Sequence, residues 1–137
     1  EVCRGTKRHY SSFLGNQKAK RTFNTLYVGL TAPREVIYKR NEQRVDLMMQ
    51  EGLLEEAKSL YPLRQLKALQ TVGYRELFSH FDATLNLDEA IAEIKKNTRR
   101  FAKRQLTWLR KNEEIIWVNH DESFNSILSK VESILQL

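Results

Sequence analysis

The sequence predicts a mostly helical α/β chain. Two short apolar runs rich in β-formers, L-Y-V-G-L at 26–30 and I-I-W-V at 115–118, read as buried strands. Helical patterning fills the stretch between them, and strands separated by helices belong to a parallel sheet rather than to a pure helical bundle. The third observation is the stretch 94–110, I-K-K-N-T-R-R-F-A-K-R-Q-L-T-W-L-R, an amphipathic helix with a strongly basic face.

A chain of 137 residues is long enough for one core, and two independent cores would be crowded. The formal net charge of +6 points to an acidic partner, with nucleic acid the first candidate. A solvated basic surface with no particular ligand is the plain alternative, and the concentration of charge on one helix favours the first. A single cysteine, Cys3, excludes an internal disulfide and any zinc site built from several cysteines, and suits a reducing cytoplasm. No apolar run approaches the ~20 residues needed to span a bilayer, and no signal peptide is expected. The chain opens at Glu1 rather than at Met, which reads as an excised or processed piece. No internal repeat or low-complexity segment occurs.

Residues 1–22 are polar and basic with scattered Gly, Ser and Asn, mostly irregular, with a strand or short helix end around 9–13. Gly5-Thr6-Lys7 lacks the first glycine and the preceding buried strand of a phosphate loop. After the run at 26–30, Pro33 suits the first turn of a helix, where its missing N–H is not needed. Gly52 closes that helix in the place where a left-handed residue is wanted. Along it Ile37, Asn41, Val45 and Met48 share one side, and Arg44 projects between Ile37 and Met48. An arginine on an apolar stripe is unfavourable unless it is paired or holds an anion. Its alternatives are a salt bridge, to Asp46 or Glu55 for example, and a planar fork for a phosphate group.

Residues 53–60 continue as a second helix, stopped where Pro62 makes Tyr61 extended. Leu69, Val72, Leu77, Phe78 and Phe81 form an apolar stripe on a helix from about Tyr74. Gly73 ahead of it is either an ordinary helix-start glycine or a place where backbone approaches a ligand closely. Asn86 followed by Glu89 has the spacing of a capping box and starts the long helix near Leu87. On that helix Ile91, Ile94, Phe101, Ala102, Trp108 and Leu109 fall on one arc. Lys95, Lys96, Arg99, Arg100, Lys103, Arg104, Arg110 and Lys111 cover the remainder, with no acidic residue between Glu93 and Glu113. At about 100° per residue, Thr98 and Gln105 project into the middle of the apolar arc. Buried polar groups need partners, so each bonds neighbouring backbone or serves a site. A final amphipathic helix packs through Phe124, Ile127, Leu128, Val131, Ile134 and Leu135.

Three ordered motifs give the sequence a family likeness: R-x-x-x-R-V-D-x-M-M-x-E-G-L-L-E-E at 40–56, A-L-Q-T-V-G-Y-R-E-L at 68–77 and N-T-R-R-F-A-K-R-Q-L-T-W-L-R at 97–110. Together they resemble the C-terminal half of tRNA dimethylallyltransferases, also called tRNA isopentenyltransferases, and the likeness runs from about Glu1 to Asn119. The resemblance implies a fold related to the P-loop nucleotide-binding proteins, with 1–22 the exit of an inserted helical tRNA-binding domain and 23–137 the C-terminal part of the catalytic α/β domain. It implies transfer of a dimethylallyl group from dimethylallyl diphosphate to N6 of the adenine 3′ to the anticodon, in the cytoplasm.

The matching arginine, Arg44, would contact the diphosphate. The V-G-Y-R region would face tRNA through Thr71, Val72, Gly73, Tyr74 and Arg75. The long helix would do so through Asn97, Thr98, Arg99, Arg100, Phe101, Lys103, Arg104 and Gln105. Asn41 departs from the apolar residue common at its place. The chain contains neither a G-x-x-x-x-G-K-[ST] loop nor the aspartate-bearing segment thought to supply the catalytic base. Both belong to a missing N-terminal half, as does the Mg²⁺ of the whole enzyme, so this piece alone is expected to be inactive and to bind no metal. The competing classes are a stand-alone helical nucleic-acid-binding module and a basic bundle that binds an acidic protein. The first has no use for Arg44 on a packed face, and charge alone leaves the second open.

Overall fold

The computed structural model describes residues 2–13 and 22–135. The chain opens with a short helix, α1 (Val2–Thr6), and a 3-10 turn at Tyr10–Phe13, so 9–13 forms a helical end rather than a strand. Residues 14–21, most of the remainder of the segment read as a domain exit, lie outside the described residues.

Strand β1 (Tyr27–Thr31) pairs in parallel with β2 (Ile115–Asn119), Tyr27 opposite Ile115 and Thr31 opposite Asn119. The parallel pairing follows from the long helical crossover between the two strands. Gly29 is demanded by packing: a Cβ there would lie 2.8 Å from Ile115 Cγ2 and 3.0 Å from the Trp117 ring. The expectation of two buried strands needs correction. Val118 is 1% exposed, but Val28 is 45% and Leu30 68% exposed. A two-stranded sheet covers each strand along one edge only, and most of the intervening helices pack on each other instead. Apolar composition marks residues that tolerate burial; it does not say what buries them.

Helix α2 (Arg34–Gln50) begins directly after Pro33, whose carbonyl accepts from Val36 N–H at 3.0 Å and Ile37 N–H at 3.1 Å. Gly52, at φ +100°, separates α2 from α3 (Leu53–Leu60); only glycine adopts that backbone without strain. Tyr61 is helical at φ −56° and ψ −36°, not extended before Pro62 as expected, and it opens the first of two 3-10 turns, Tyr61–Leu63 and Lys67–Leu69, that lead to α4 (Tyr74–Phe81). The capping box is realised at α5 (Leu87–Leu109): Glu89 N–H donates to Asn86 Oδ1 at 2.9 Å, and Asn86 N–H donates to Glu89 Oε2 at 2.8 Å. Helix α6 (Phe124–Leu135) ends the described chain.

The core lies among α2, α3, α4 and α5, where Val45, Leu53, Ala57, Leu77, Phe78, Ala90 and Ile94 are buried against one another. The Tyr61 ring closes one side, edge-on to Phe78 and Phe81 at 5.7 and 5.4 Å between centroids. Truncating Leu77 or Ile94 to Ala here costs about 2–5 kcal/mol. Two further expectations are corrected. The apolar arc of α5 is packed at Ile94 but not at its far end, where Phe101 is 49% and Trp108 72% exposed. None of the expected packing residues of α6 is buried, and Phe124 is 75% exposed. Helical periodicity is a property of one element, whereas burial needs a neighbour, and past Ile94 the described residues bring few.

Candidate functional site

A cavity of about 340 Å³ opens between α2, the turn before α4 and the middle of α5. Val45, Met48, Val72, Ile94 and Phe101 make its walls apolar, and Arg44, Asn41 and Thr98 supply the polar groups. Of the residues singled out from sequence, Arg44, Thr71, Val72, Gly73, Thr98 and Phe101 meet here.

Arg44 is exposed, and among the described residues it has no ion pair. Asp46, one of its expected carboxylate partners, holds Lys95 at 2.6 Å instead. A guanidinium that keeps all five donors at the mouth of an apolar cavity can receive an anion whose remainder is hydrocarbon. One turn earlier, Asn41 Nδ2 is buried without a hydrogen-bond partner. Thr98 resolves the question raised by its position: its hydroxyl donates to the Ile94 carbonyl at 2.8 Å, while the residue lines the cavity.

Gly73 owes its identity to backbone conformation rather than to close approach. Its φ is +105°, and a Cβ would meet nothing within 4 Å. The turn it forms is tied down by Glu76, whose carboxylate accepts from Gly73 N–H at 2.8 Å and from Asn97 Nδ2 at 2.8 Å. Tyr74 stacks on Phe78 at 6.1 Å between centroids and donates its hydroxyl to Glu56. That hydrogen bond, with burial second, raises the phenol above its ordinary value. Arg75 is exposed and lies 3.1 Å from Glu76.

The basic face of α5 divides into two parts. Lys95 pairs with Asp46, Lys96 with Glu93 at 2.7 Å and Arg99 with Glu42, while Arg100 donates to Asn97 Oδ1 at 3.3 Å. Among the described residues, Lys103, Arg104, Arg110 and Lys111 have no carboxylate partner. Arg104 sits 5.6 Å over the Phe101 ring. Gln105 is exposed beside Arg104, Trp108 and Leu109, away from the main cavity, and not on a packed face as its helical position predicts. Lys103 reaches a smaller cavity of about 160 Å³ shared with Ile37, Tyr38 and Arg110.

The residues lining the main cavity include no carboxylate, and no group of three metal-ligating side chains occurs among the described residues. Glu76 and Glu42 were not singled out from sequence, nor were the pairings of Asn97 with Glu76 and of Asp46 with Lys95. Only the R-V-D and Y-R-E segments offered a signal, and it did not specify pairing across helices.

The family model described as IPP transferase matches residues 1–112. The chain belongs to the IPP transferase family. Among IPP transferase relatives, this chain is 55% identical over 133 residues to a tRNA dimethylallyltransferase of Christiangramia forsetii, covering 97% of this chain and 44% of that protein. It is 57% identical over 128 residues to one of Flavobacterium johnsoniae, covering 93% of this chain and 41% of that protein. The full-length tRNA isopentenylpyrophosphate transferase structure from Bacillus halodurans matches with a TM-score of 0.75 at 37% identity, over 86% of this chain and 40% of that one. A tRNA isopentenylpyrophosphate transferase from Staphylococcus epidermidis matches at the same TM-score and 28% identity, over 98% and 46%. This IPP transferase chain thus spans less than half the length of the relatives it matches.

Proposed function

We propose that this chain is the C-terminal part of a cytoplasmic tRNA-modifying enzyme that moves a dimethylallyl group from dimethylallyl diphosphate to N6 of the adenine 3′ to the anticodon. The observation that carries the reading is the pairing of Arg44 with an apolar cavity, because a prenyl diphosphate is an anion joined to a short hydrocarbon. Family membership supports the same chemistry, since the tRNA dimethylallyltransferases of the two relatives bear it in their names.

In this reading Arg44 holds diphosphate oxygens and offsets the charge that grows on the leaving group as the allylic C–O bond breaks. Val45, Met48, Val72 and Phe101 surround the hydrocarbon and keep water from the electrophilic carbon. The adenine N6 forms the new C–N bond, and its proton passes to a base outside this chain. Mg²⁺, when bound, would neutralise further diphosphate charge, using ligands outside the described residues. The unpaired cations Lys103, Arg104, Arg110 and Lys111 suit the phosphates of an anticodon arm. Residues 1–22 would leave an inserted tRNA-binding domain, and 23–137 would complete a catalytic domain related to P-loop proteins. The phosphate loop and base would come from the N-terminal half, without which the piece is inactive. No described helix is long and apolar enough to cross a membrane.

A stand-alone nucleic-acid-binding module would use the same basic helix end but leaves Arg44 and its cavity without a role. Incubating the full-length enzyme with tRNA and dimethylallyl diphosphate, then weighing the digested nucleosides, tests the proposal. The expected product is an adenosine heavier by one dimethylallyl group next to the anticodon. Unmodified tRNA, with RNA binding intact, would favour the module.

A further inference from the structure

We propose that Glu76 is a positioning residue for the transfer, acting through Gly73 and Asn97 without touching substrate; the inference rests on the prenyl-transfer reading above. Glu76 is 5% exposed and is the one buried charged side chain among the described residues. A carboxylate removed from water is unfavourable unless donors replace its solvation. Here three do: Gly73 N–H at 2.8 Å on Oε2, and Asn97 Nδ2 at 2.8 Å and Arg75 Nη2 at 3.1 Å on Oε1. Asn97 in turn accepts from Arg100 Nη1 at 3.3 Å. Both polar atoms of the Asn97 side chain therefore have a partner within the protein.

Packing alone does not call for a carboxylate here. Leu77, Phe78, Ala90 and Ile94 already fill the contact between α4 and α5, and a buried ionic group can often be replaced by hydrocarbon without loss of stability. The two oxygens of Glu76 do what hydrocarbon cannot: one fixes the turn and the other fixes α5. Those elements are two of the three walls of the cavity, with Thr71, Val72 and Gly73 on one side and Thr98 and Phe101, beside Asn97, on the other. Gly73, at φ +105°, sits in a conformation that other residues rarely adopt, so the Glu76 bond helps set where the turn points. Glu76 thereby holds the donor cavity and the tRNA-facing turn in one fixed relation.

The test uses the full-length enzyme. Glu76→Gln keeps the shape but presents an NH₂ to one of its donors. Single-turnover transfer at saturating donor and tRNA should fall about tenfold or more, since small misplacements of reacting groups are sufficient for that. Affinities for tRNA and dimethylallyl diphosphate should change less than about threefold. Asn97→Asp alone brings two carboxylates together and should be at least as slow. Combining Glu76→Gln with Asn97→Asp reverses donor and acceptor, and transfer should recover to within about threefold of wild type.

An exchange pair that melts like wild type yet stays as slow as the single variants would overturn the proposal, and so would full rate in Glu76→Gln. If Glu76→Gln does not fold, Asn97→Leu breaks the same bond on the half-buried face of α5, and an unchanged rate there overturns it equally. Amide exchange at Gly73 reads the network whether or not a prenyl group moves. It should accelerate in Glu76→Leu, which removes both acceptor oxygens, and stay close to wild type in the exchange pair, and no acceleration in Glu76→Leu would refute the anchoring bond. A wild-type enzyme that transfers nothing while showing this exchange pattern would count against the prenyl reading alone.

Discussion

Asn41 buries a side-chain donor with no partner among the described residues, one helical turn from Arg44. A buried group left unbonded costs about 1–3 kcal/mol. Asn41→Leu should therefore raise folding stability, by about 1 kcal/mol in urea melts. A loss of stability would mean that the amide is bonded in the working protein. Arg99 and Lys103 differ in the same local way. The Arg99 guanidinium is committed to Glu42, whereas Lys103 has no carboxylate partner among the described residues. Lys103→Ala and Arg104→Ala should each reduce the salt dependence of tRNA binding by roughly one phosphate contact, while Arg99→Ala should leave the slope nearly unchanged. Equal slopes for all three variants would remove the distinction. At this scale the sequence was informative where the signal is local. Gly52 and the Asn86–Glu89 cap are set by residues within one turn. Gly29 is fixed by Trp117 on the other strand and Glu76 by Asn97 on the next helix, and no local pattern contains such pairs.

Element by element, α4 and the front half of α5 follow their periodicity because each has a partner: Leu77 and Phe78 meet Ala90 and Ile94. The back half of α5 and all of α6 show the same apolar spacing and remain largely exposed, because spacing gives a face and not its neighbour. Gln105 illustrates the consequence. It is exposed beside Arg104 and Trp108, so Gln105→Leu should shift stability by no more than about 0.5 kcal/mol. A large stabilisation would indicate burial in the full-length enzyme. The link between α3 and α4 has a pH signature. The hydrogen bond to Glu56 raises the Tyr74 phenol above its ordinary value near 10. A group whose folded value is raised stabilises fully below its unfolded value and loses that contribution as pH climbs through the folded one. Wild type should therefore be more stable than Tyr74→Phe at neutral pH, and their melting temperatures should converge above about pH 10. A constant gap across that range would contradict a contribution from the hydrogen bond between Tyr74 and Glu56.

For the whole molecule, the fold class was legible from two β-rich runs flanking a helical crossover, and the three motifs marked the residues around the cavity. Neither source revealed that the core would centre on four helices rather than on the sheet, because that depends on which apolar faces find each other. The account rests on one spatial fact: Arg44, unpaired among the described residues, stands at the mouth of an apolar cavity shared with Val72 and Phe101. The most direct measurement is the affinity of the full-length enzyme for dimethylallyl diphosphate and, separately, for tRNA, in wild type, Arg44→Lys and Arg44→Ala. A charge-assisted contact contributes about 1.5–3 kcal/mol, so Arg44→Ala should weaken donor binding by at least about tenfold while tRNA affinity stays nearly intact. Lysine should restore part of the loss, since it keeps the charge without the planar fork. Donor affinity unchanged in Arg44→Ala, with only a lowered melting temperature, would contradict the account.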